Sequence, residues 1–172
     1  MSNLIAYQDY RPQISSDVFL APGSLIIGRV DIERKSSIWF NSVVRGDVER
    51  INIGQGTNIQ DNSVVHCARD NGPTDIGDDV TIGHMALIHA CTIQDRAFIG
   101  MQSIIMDYAV IETEALVAAG SLVTSGTVIG KRELWAGRPA RFKRMLTQAE
   151  IDKMQENTRH YQQLAQNYLQ KK

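Results

Sequence analysis

Three histidines lie close together near the middle of the chain and could hold a metal ion. They are His66, His84 and His89, three of the four histidines in the sequence. Neutral imidazole is a common metal ligand, and three histidines with an open fourth position form the ligand set of a catalytic zinc site. Such a site activates water for attack on a small electrophile. The fourth histidine, His160, is expected on the surface of a C-terminal helix.

These histidines lie inside a six-residue repeat that must position them. An aliphatic residue recurs every six positions, and a small or β-branched residue follows four positions later in every repeat except the one that begins at Val65. A period of six fits neither an amphipathic helix nor a hairpin strand. It is typical of a parallel β-helix, in which each repeat forms one face and about 18 residues complete a triangular coil. The aliphatic positions are Ile14, Leu20, Ile26, Ile32, Ile38, Val44, Ile53, Ile59, Val65, Ile76, Ile82, Ile88, Ile93, Ile99, Ile105, Ile111, Val117 and Val123.

The repeat register places the polar residues in outward columns, because side chains alternate along a strand. Arg45, His66 and His89 each follow an aliphatic position and are separated by three repeats, so they are predicted to stack in one column. Asp61 and His84 form a second column on a different face by the same count. The two columns point in different directions. A three-fold trimer would bring the first column of one subunit against the second column of its neighbour.

Longer steps in the repeat predict loops at residues 44–53 and 65–76, the second with strong turn residues at 70–73. The whole chain, residues 1–172, is expected to form one domain. A β-helix is predicted over residues 11–130. A basic connector around Pro139 then leads to a helix over residues 147–171, which begins with a capping box.

Composition excludes several classes of function. The net charge of −1 gives no reason to expect a nucleic-acid partner, and no apolar run approaches the ~20 residues that a membrane span requires. The first residues lack the basic and apolar regions of a secretory signal, so we expect a cytoplasmic protein. The two cysteines, Cys67 and Cys91, are expected to be free thiols rather than metal ligands.

The segments Arg45–Asp47, Asn58–His66 and Ile82–His84, together with His89, resemble the signature of γ-class carbonic anhydrases. The resemblance extends from about Arg11 to the C-terminal helix. It implies a mainly β fold, a left-handed parallel β-helix of hexapeptide repeats with a C-terminal α-helix, assembled as a homotrimer with metal sites at the subunit interfaces. It also implies zinc, with iron or cobalt as alternatives, and reversible hydration of carbon dioxide to bicarbonate by a metal-bound hydroxide.

The same resemblance assigns roles to individual residues. His66 and His89 would come from one subunit and His84 from its neighbour. Arg45 and Asp47 resemble the family's intersubunit ion pair beside the metal, and Gln60 resembles the side chain that orients the reacting hydroxide or bicarbonate. Asp61 resembles a residue that holds Arg45 in place. Tyr161 lies where the C-terminal helix could overhang the metal.

Two departures from the family pattern lower the expected turnover and keep other functions open. The loop over residues 67–75 is short and carries few of the acidic residues that shuttle protons in founding members, and Val48 stands where better-studied relatives have a second catalytic carboxylate. The alternatives are a metal-dependent hydrolase or thioesterase, a hexapeptide acyltransferase using coenzyme A, and a metal-binding protein with little activity.

Overall fold

The computed structural model of the chain describes residues 3–170. It contains twenty short β-strands and one C-terminal helix, and within this range no helix is both long and apolar enough to cross a membrane. In chain order the elements are β1 (Leu4–Ile5), β2 (Gln13–Ile14), β3 (Phe19–Leu20), β4 (Leu25–Ile32), β5 (Ser37–Ile38), β6 (Val43–Ile53), β7 (Asn58–Ile59), β8 (Val64–His66), β9 (Thr74–Ile76), β10 (Thr81–Ile82), β11 (Leu87–His89), β12 (Thr92–Ile93), β13 (Phe98–Ile99), β14 (Ile104–Ile105), β15 (Val110–Ile111), β16 (Leu116–Val117), β17 (Leu122–Val123), β18 (Val128–Ile129), β19 (Glu133–Gly137), β20 (Ala140–Met145) and α1 (Gln148–Gln170).

The strands stack in parallel on three faces and form a left-handed β-helix of about seven turns, as predicted. The first face contains β1, the start of β4 and β6, then β8, β11, β14 and β17. The second face contains β3, β5, β7, β10, β13, β16 and β19, with β20 at its edge. The third face contains β2, the ends of β4 and β6, then β9, β12, β15 and β18. The first face carries the column that contains two of the three histidines.

The interior of the prism is filled by the aliphatic residue of each repeat. Almost every one of them is inaccessible to solvent; Ile14 and Leu20 in the first coil are partly buried. The small residue four positions later has a second role where it is serine or threonine. Ser42 donates its hydroxyl hydrogen to the carbonyl of Gln60 (2.8 Å) and accepts the N–H of Ser63 (3.2 Å), thereby linking consecutive coils. A buried hydroxyl satisfied in this way avoids the penalty of an unpaired polar group.

Two predicted irregularities have a different form in the structure. The extra residues at 44–53 were expected to make a loop, but β6 runs through them as one long strand and absorbs them with a register shift against β4. The connector around Pro139 is an antiparallel hairpin of β19 and β20, and its turn contains a cis peptide between Arg138 and Pro139. The 70–73 loop does turn as expected, with both Asp70 and Asn71 at positive φ.

The C-terminal helix lies against the second face. It begins with the predicted capping box, in which Thr147 Oγ1 accepts the N–H of Glu150 (3.3 Å) and the Glu150 carboxylate accepts the N–H of Thr147 (2.9 Å). The predicted helix end at residue 171 lies outside the described residues, as do residues 1, 2 and 172 of the expected domain. Ile151 and Met154 pack against the prism near Phe98.

Strand β18 offers a matched test of the inward and outward positions. Ile129 is fully buried whereas its neighbour Val128 is 56% exposed. We expect Ile129→Ala to lower the free energy of unfolding by about 2–5 kcal/mol, because the substitution leaves a cavity in the prism. Val128→Ala should change it by no more than about 0.5 kcal/mol. Urea denaturation of both variants measures the difference, and equal losses would contradict the assigned register.

Candidate metal centre

The first face brings two of the histidines together. Parallel pairing places His89 of β11 directly beside His66 of β8, and His66 beside Arg45 of β6. This confirms the predicted column. The Nδ1 atom of His66 lies 3.2 Å from the Nε2 atom of His89, and both side chains are partly buried.

Carboxylates determine which nitrogen of each ring carries the proton. His66 Nε2 lies 2.9 Å from Asp47 Oδ1, and His89 Nδ1 lies 2.6 Å from Asp107 Oδ1. Because a carboxylate only accepts hydrogen bonds, each neutral ring donates from the nitrogen that faces it. The two nitrogens that face each other therefore both present lone pairs. Two imidazole ligands of one tetrahedral metal, each ~2.0–2.1 Å from it, have nitrogens about 3.3 Å apart, so this pair fits a shared divalent ion.

His84 occupies the corner between the second and first faces. Its Nδ1 atom lies 2.7 Å from Asp61 Oδ2, so in the neutral ring the lone pair is on Nε2. The preceding Gly83 is required by the close approach of the next coil, because a Cβ atom there would lie 2.7 Å from the backbone nitrogen of Met101. The second predicted column, Asp61 and His84, is thus present.

One chain does not gather the three histidines into a single site. Among residues 3–170, the group of three or more such residues whose ligand atoms all lie within 4.8 Å of one another is Asp47, His66 and Cys67. We do not regard Cys67 as a ligand, because its Sγ is 3.1 Å from the carbonyl of Glu49 and burial raises the pKa of the thiol. Burial likewise raises the pKa of Cys91 to about 12. Both thiols are free, as expected.

Arg45 and Asp47 form an ion pair within the chain, at the edge of the histidine pair. Burial alone would raise the pKa of Asp47, but the hydrogen bonds from His66 and Arg45 lower it below its ordinary value. The carboxylate therefore stays ionised near neutral pH and holds both partners. In the single chain Asp61 contacts His84 rather than Arg45.

Gln60 is the first member of a buried series of hydrogen bonds that ends at the helix. Its Nε2 donates to Asn58 Oδ1 (3.0 Å), and Asn58 Nδ2 donates to Thr81 Oγ1 (2.9 Å). Thr81 Oγ1 in turn lies 2.9 Å from Thr158 Oγ1 of α1. All four residues are buried, so the carboxamide of Gln60 has a defined orientation.

Tyr161 is the helix residue that reaches the histidine corner. Its hydroxyl lies 3.4 Å from His84 Nε2, and its ring packs edge-on against Trp39 with the centroids 5.3 Å apart. Burial, assisted by the charge of Asp61, raises the pKa of the phenol, which therefore stays protonated. His160 is exposed on the same helix, as predicted.

Sequence reasoning missed two residues that the structure places here, Asp107 and Asn58. Asp107 lies 18 residues beyond His89, one coil further along the chain, and this spacing was the available signal. Asn58 lies next to a buried isoleucine, at a position where outward side chains are expected. It is buried because α1 covers this part of the second face.

The fold and its paired histidines define a hexapeptide-repeat β-helix with donors suited to a divalent metal. The chain is 43% identical to the carbonic anhydrase of Geobacillus kaustophilus, with 94% of this chain and 88% of that protein aligned. It is 49% identical to the mitochondrial gamma carbonic anhydrase 2 of Arabidopsis thaliana over 92% of its length, and it spans 59% of that longer protein. The chain belongs to the γ-carbonic anhydrase family.

Solved structures agree with the fold. A hexapeptide transferase family protein from Anaplasma phagocytophilum superposes with a TM-score of 0.92 at 48% identity, covering 96% of this chain and 97% of that one. A Bacillus cereus protein described as an acetyltransferase gives a TM-score of 0.97 at 39% identity, covering 99% and 100%. No protein-family model matches the chain.

The buried series of hydrogen bonds from Gln60 to the helix makes a testable contribution to stability. Thr158→Val removes a hydroxyl that is hydrogen-bonded to Thr81 in a site closed to solvent, and we expect a loss of about 1–3 kcal/mol. Thr124→Val serves as the control, since the exposed Thr124–Thr127 hydroxyl pair (3.1 Å) can be replaced by water, and its loss should cost under ~0.5 kcal/mol. Urea denaturation compares the two, and similar losses would contradict a stabilising role for the buried series of hydrogen bonds.

Proposed function

We propose that this protein hydrates carbon dioxide to bicarbonate at a divalent metal held by three histidines. In the proposal, His66 and His89 of one subunit and His84 of a neighbouring subunit form the ligand set in a homotrimer. The observation that carries it is the pair of imidazole nitrogens 3.2 Å apart, with a carboxylate at the other nitrogen of each ring. Membership of the γ-carbonic anhydrase family supports the reaction.

The donor set favours zinc, with iron and cobalt as the alternatives that imidazole also accommodates. Held by three neutral imidazoles, such a metal would lower the pKa of a coordinated water to about 7. The remaining work belongs to the protein. One N–H of Gln60 Nε2 donates to Asn58, and in the proposal the Oε1 atom accepts a hydrogen bond from the reacting water. Arg45 supports the negative charge that develops on bicarbonate.

Hydration of carbon dioxide releases a proton, and Tyr161 and the loop over residues 67–75 are the nearby groups that could handle it. The protonated Tyr161 hydroxyl beside His84 acts as a hydrogen-bond donor at the site in this proposal. Asp75, one of the two acidic residues of the loop, is ion-paired with Arg50 and is not available as a shuttle. Val48 is 41% exposed and cannot carry a proton. We therefore expect turnover to be limited by proton transfer.

Assembly and location complete the proposal. Because the three histidines of one chain do not converge, the ligand set requires a second copy, and a closed three-fold ring supplies three equivalent sites. A single domain in the cytoplasm remains the prediction for the chain. The Arabidopsis relative is mitochondrial by name, so fractionation or imaging of this protein in its own cells is the test of its location.

Acyl transfer is the second candidate function. It is favoured by the two solved structures described as transferases, which share 48% and 39% identity with this chain. A metal-dependent hydrolase or thioesterase would use the same histidines, and a metal-binding protein with little activity would keep them without turnover. Assays with acetyl-coenzyme A and with acyl esters separate these from carbon dioxide hydration.

The reaction is tested by stopped-flow hydration of carbon dioxide. With protein purified without chelator and without oxygen, we expect hydration well above the buffer rate, and we expect His89→Ala and chelator treatment to abolish it. His160→Ala is the matched control, because His160 is exposed on α1 outside the pair, and it should retain activity. Metal bound at about one ion per chain without hydration would reject the reaction while leaving the site in place.

The shared site is tested by mixing two inactive variants. His84→Ala retains His66 and His89, whereas His89→Ala retains His84, so each homotrimer has only incomplete sites. Trimers reassembled from equal amounts should regain about a quarter of the wild-type metal sites by random assortment. A site is complete only when the His84→Ala variant supplies His66 and His89 and the His89→Ala variant supplies His84. Metal content measured by mass spectrometry reports the result. No recovery in mixed trimers would show that the histidines do not combine across subunits.

A further inference from the structure

Asp107 stands directly behind His89, on the side away from His66. Its Oδ1 atom lies 2.6 Å from His89 Nδ1, and the side chains of the two residues are 24% and 28% exposed. No role was predicted for this residue. It follows β14 in the coil beyond His89, one position past Met106, which the β11–β14 register places opposite His89.

The backbone holds Asp107 from both sides. The N–H of Met106 donates to the carbonyl of Val123 (3.0 Å), and the N–H of Gly126 donates to the carbonyl of Asp107 (2.9 Å). On the other side, the N–H of Tyr108 donates to the carbonyl of Ala90 (2.6 Å), next to His89. The backbone at Asp107 is therefore held by hydrogen bonds to the coils on both sides.

We propose that Asp107 is a positioning residue of the metal centre, which fixes His89 as its Nδ1–H tautomer and directs the Nε2 lone pair toward His66 Nδ1. The inference rests on the proposed function only for the metal as the bound species; the tautomer of His89 does not depend on it. A ligating histidine commonly donates its second N–H to a carboxylate, which sets the ring orientation and raises its basicity. The geometry gives this role to Asp107.

Asp107 completes a set with one carboxylate behind each of the three histidines. Asp47 faces His66 at Nε2, whereas Asp61 faces His84 at Nδ1 and Asp107 faces His89 at Nδ1. The set has an internal asymmetry, because His66 presents Nδ1 to the site while the other two rings present Nε2. This asymmetry is specific enough to measure without any metal or substrate.

The first experiment determines the tautomers in the metal-free protein. Long-range ¹H–¹⁵N spectra at alkaline pH distinguish the two neutral forms, and four histidines make assignment by single substitution practical. We expect His89 as the Nδ1–H form in the wild type and a shift toward the Nε2–H form in Asp107→Ala. An Nε2–H form of His89 in the wild type, or an unchanged tautomer in the variant, overturns the inference whatever the protein binds.

The second experiment measures metal affinity by competition with a chelator. We expect Asp107→Ala to weaken zinc binding by about 10- to 100-fold, and the isosteric Asp107→Asn, a weaker acceptor, to weaken it less. Asp75→Ala is the matched control, since this partly exposed carboxylate pairs with Arg50 rather than with a histidine, and it should leave affinity unchanged.

The outcomes separate the two proposals. A wild type that binds zinc with the same affinity as Asp107→Ala overturns the role of Asp107 and leaves the proposed function standing. A wild type that binds no divalent metal overturns the proposed function, and the tautomer spectra then still decide what Asp107 does to His89. If Asp107→Ala does not fold, Asp107→Leu, which also lacks an acceptor, carries the tautomer measurement and Asp107→Asn carries the affinity measurement.

Discussion

The backbone hydrogen bonding between consecutive coils is the constraint on which the rest of the structure depends. Parallel strands stack about 4.8 Å apart, so residues one coil apart on the same face must be neighbours whatever their side chains. His66 and His89 lie side by side for this reason, and so do Asp61 and His84. No local motif has to hold the histidines together. In the β-helix, residues far apart in sequence come into contact when they are separated by one full coil.

The helix adds what coil stacking cannot supply. The second face turns its side chains toward α1, which buries Asn58 and Thr81 and closes the series of hydrogen bonds that orients Gln60. The aromatic rings of Phe19, Trp39 and Tyr168 pack in the same region. Tyr161 is placed beside His84 by this packing, so the rigidity of the site depends on the docking of a helix more than seventy residues away in sequence.

The register of the repeat explains why so much of the site could be predicted. An integer period fixes both the face and the height of every residue, so the two columns follow from the sequence alone. The failures lie where the period breaks. The insertion at 44–53 continues as the strand β6 because a register shift keeps its backbone paired, and the basic segment at 140–145 pairs with β19. Asp107 was not predicted because its contact depends on which ring nitrogen of His89 faces the next coil, and the repeat does not determine that.

The arrangement of protons around the histidines links metal binding to assembly. When both rings are neutral and donate to carboxylates from their other nitrogens, the nitrogens of His66 and His89 that lie 3.2 Å apart both present lone pairs, which repel. A cation between them removes that repulsion, and the added negative charge of Asp47 and Asp107 favours it further. In the proposed trimer a third imidazole comes from another subunit. An ion that removes the repulsion between His66 and His89 in one subunit therefore also binds that subunit to its neighbour. Metal affinity and trimer stability should therefore rise and fall together.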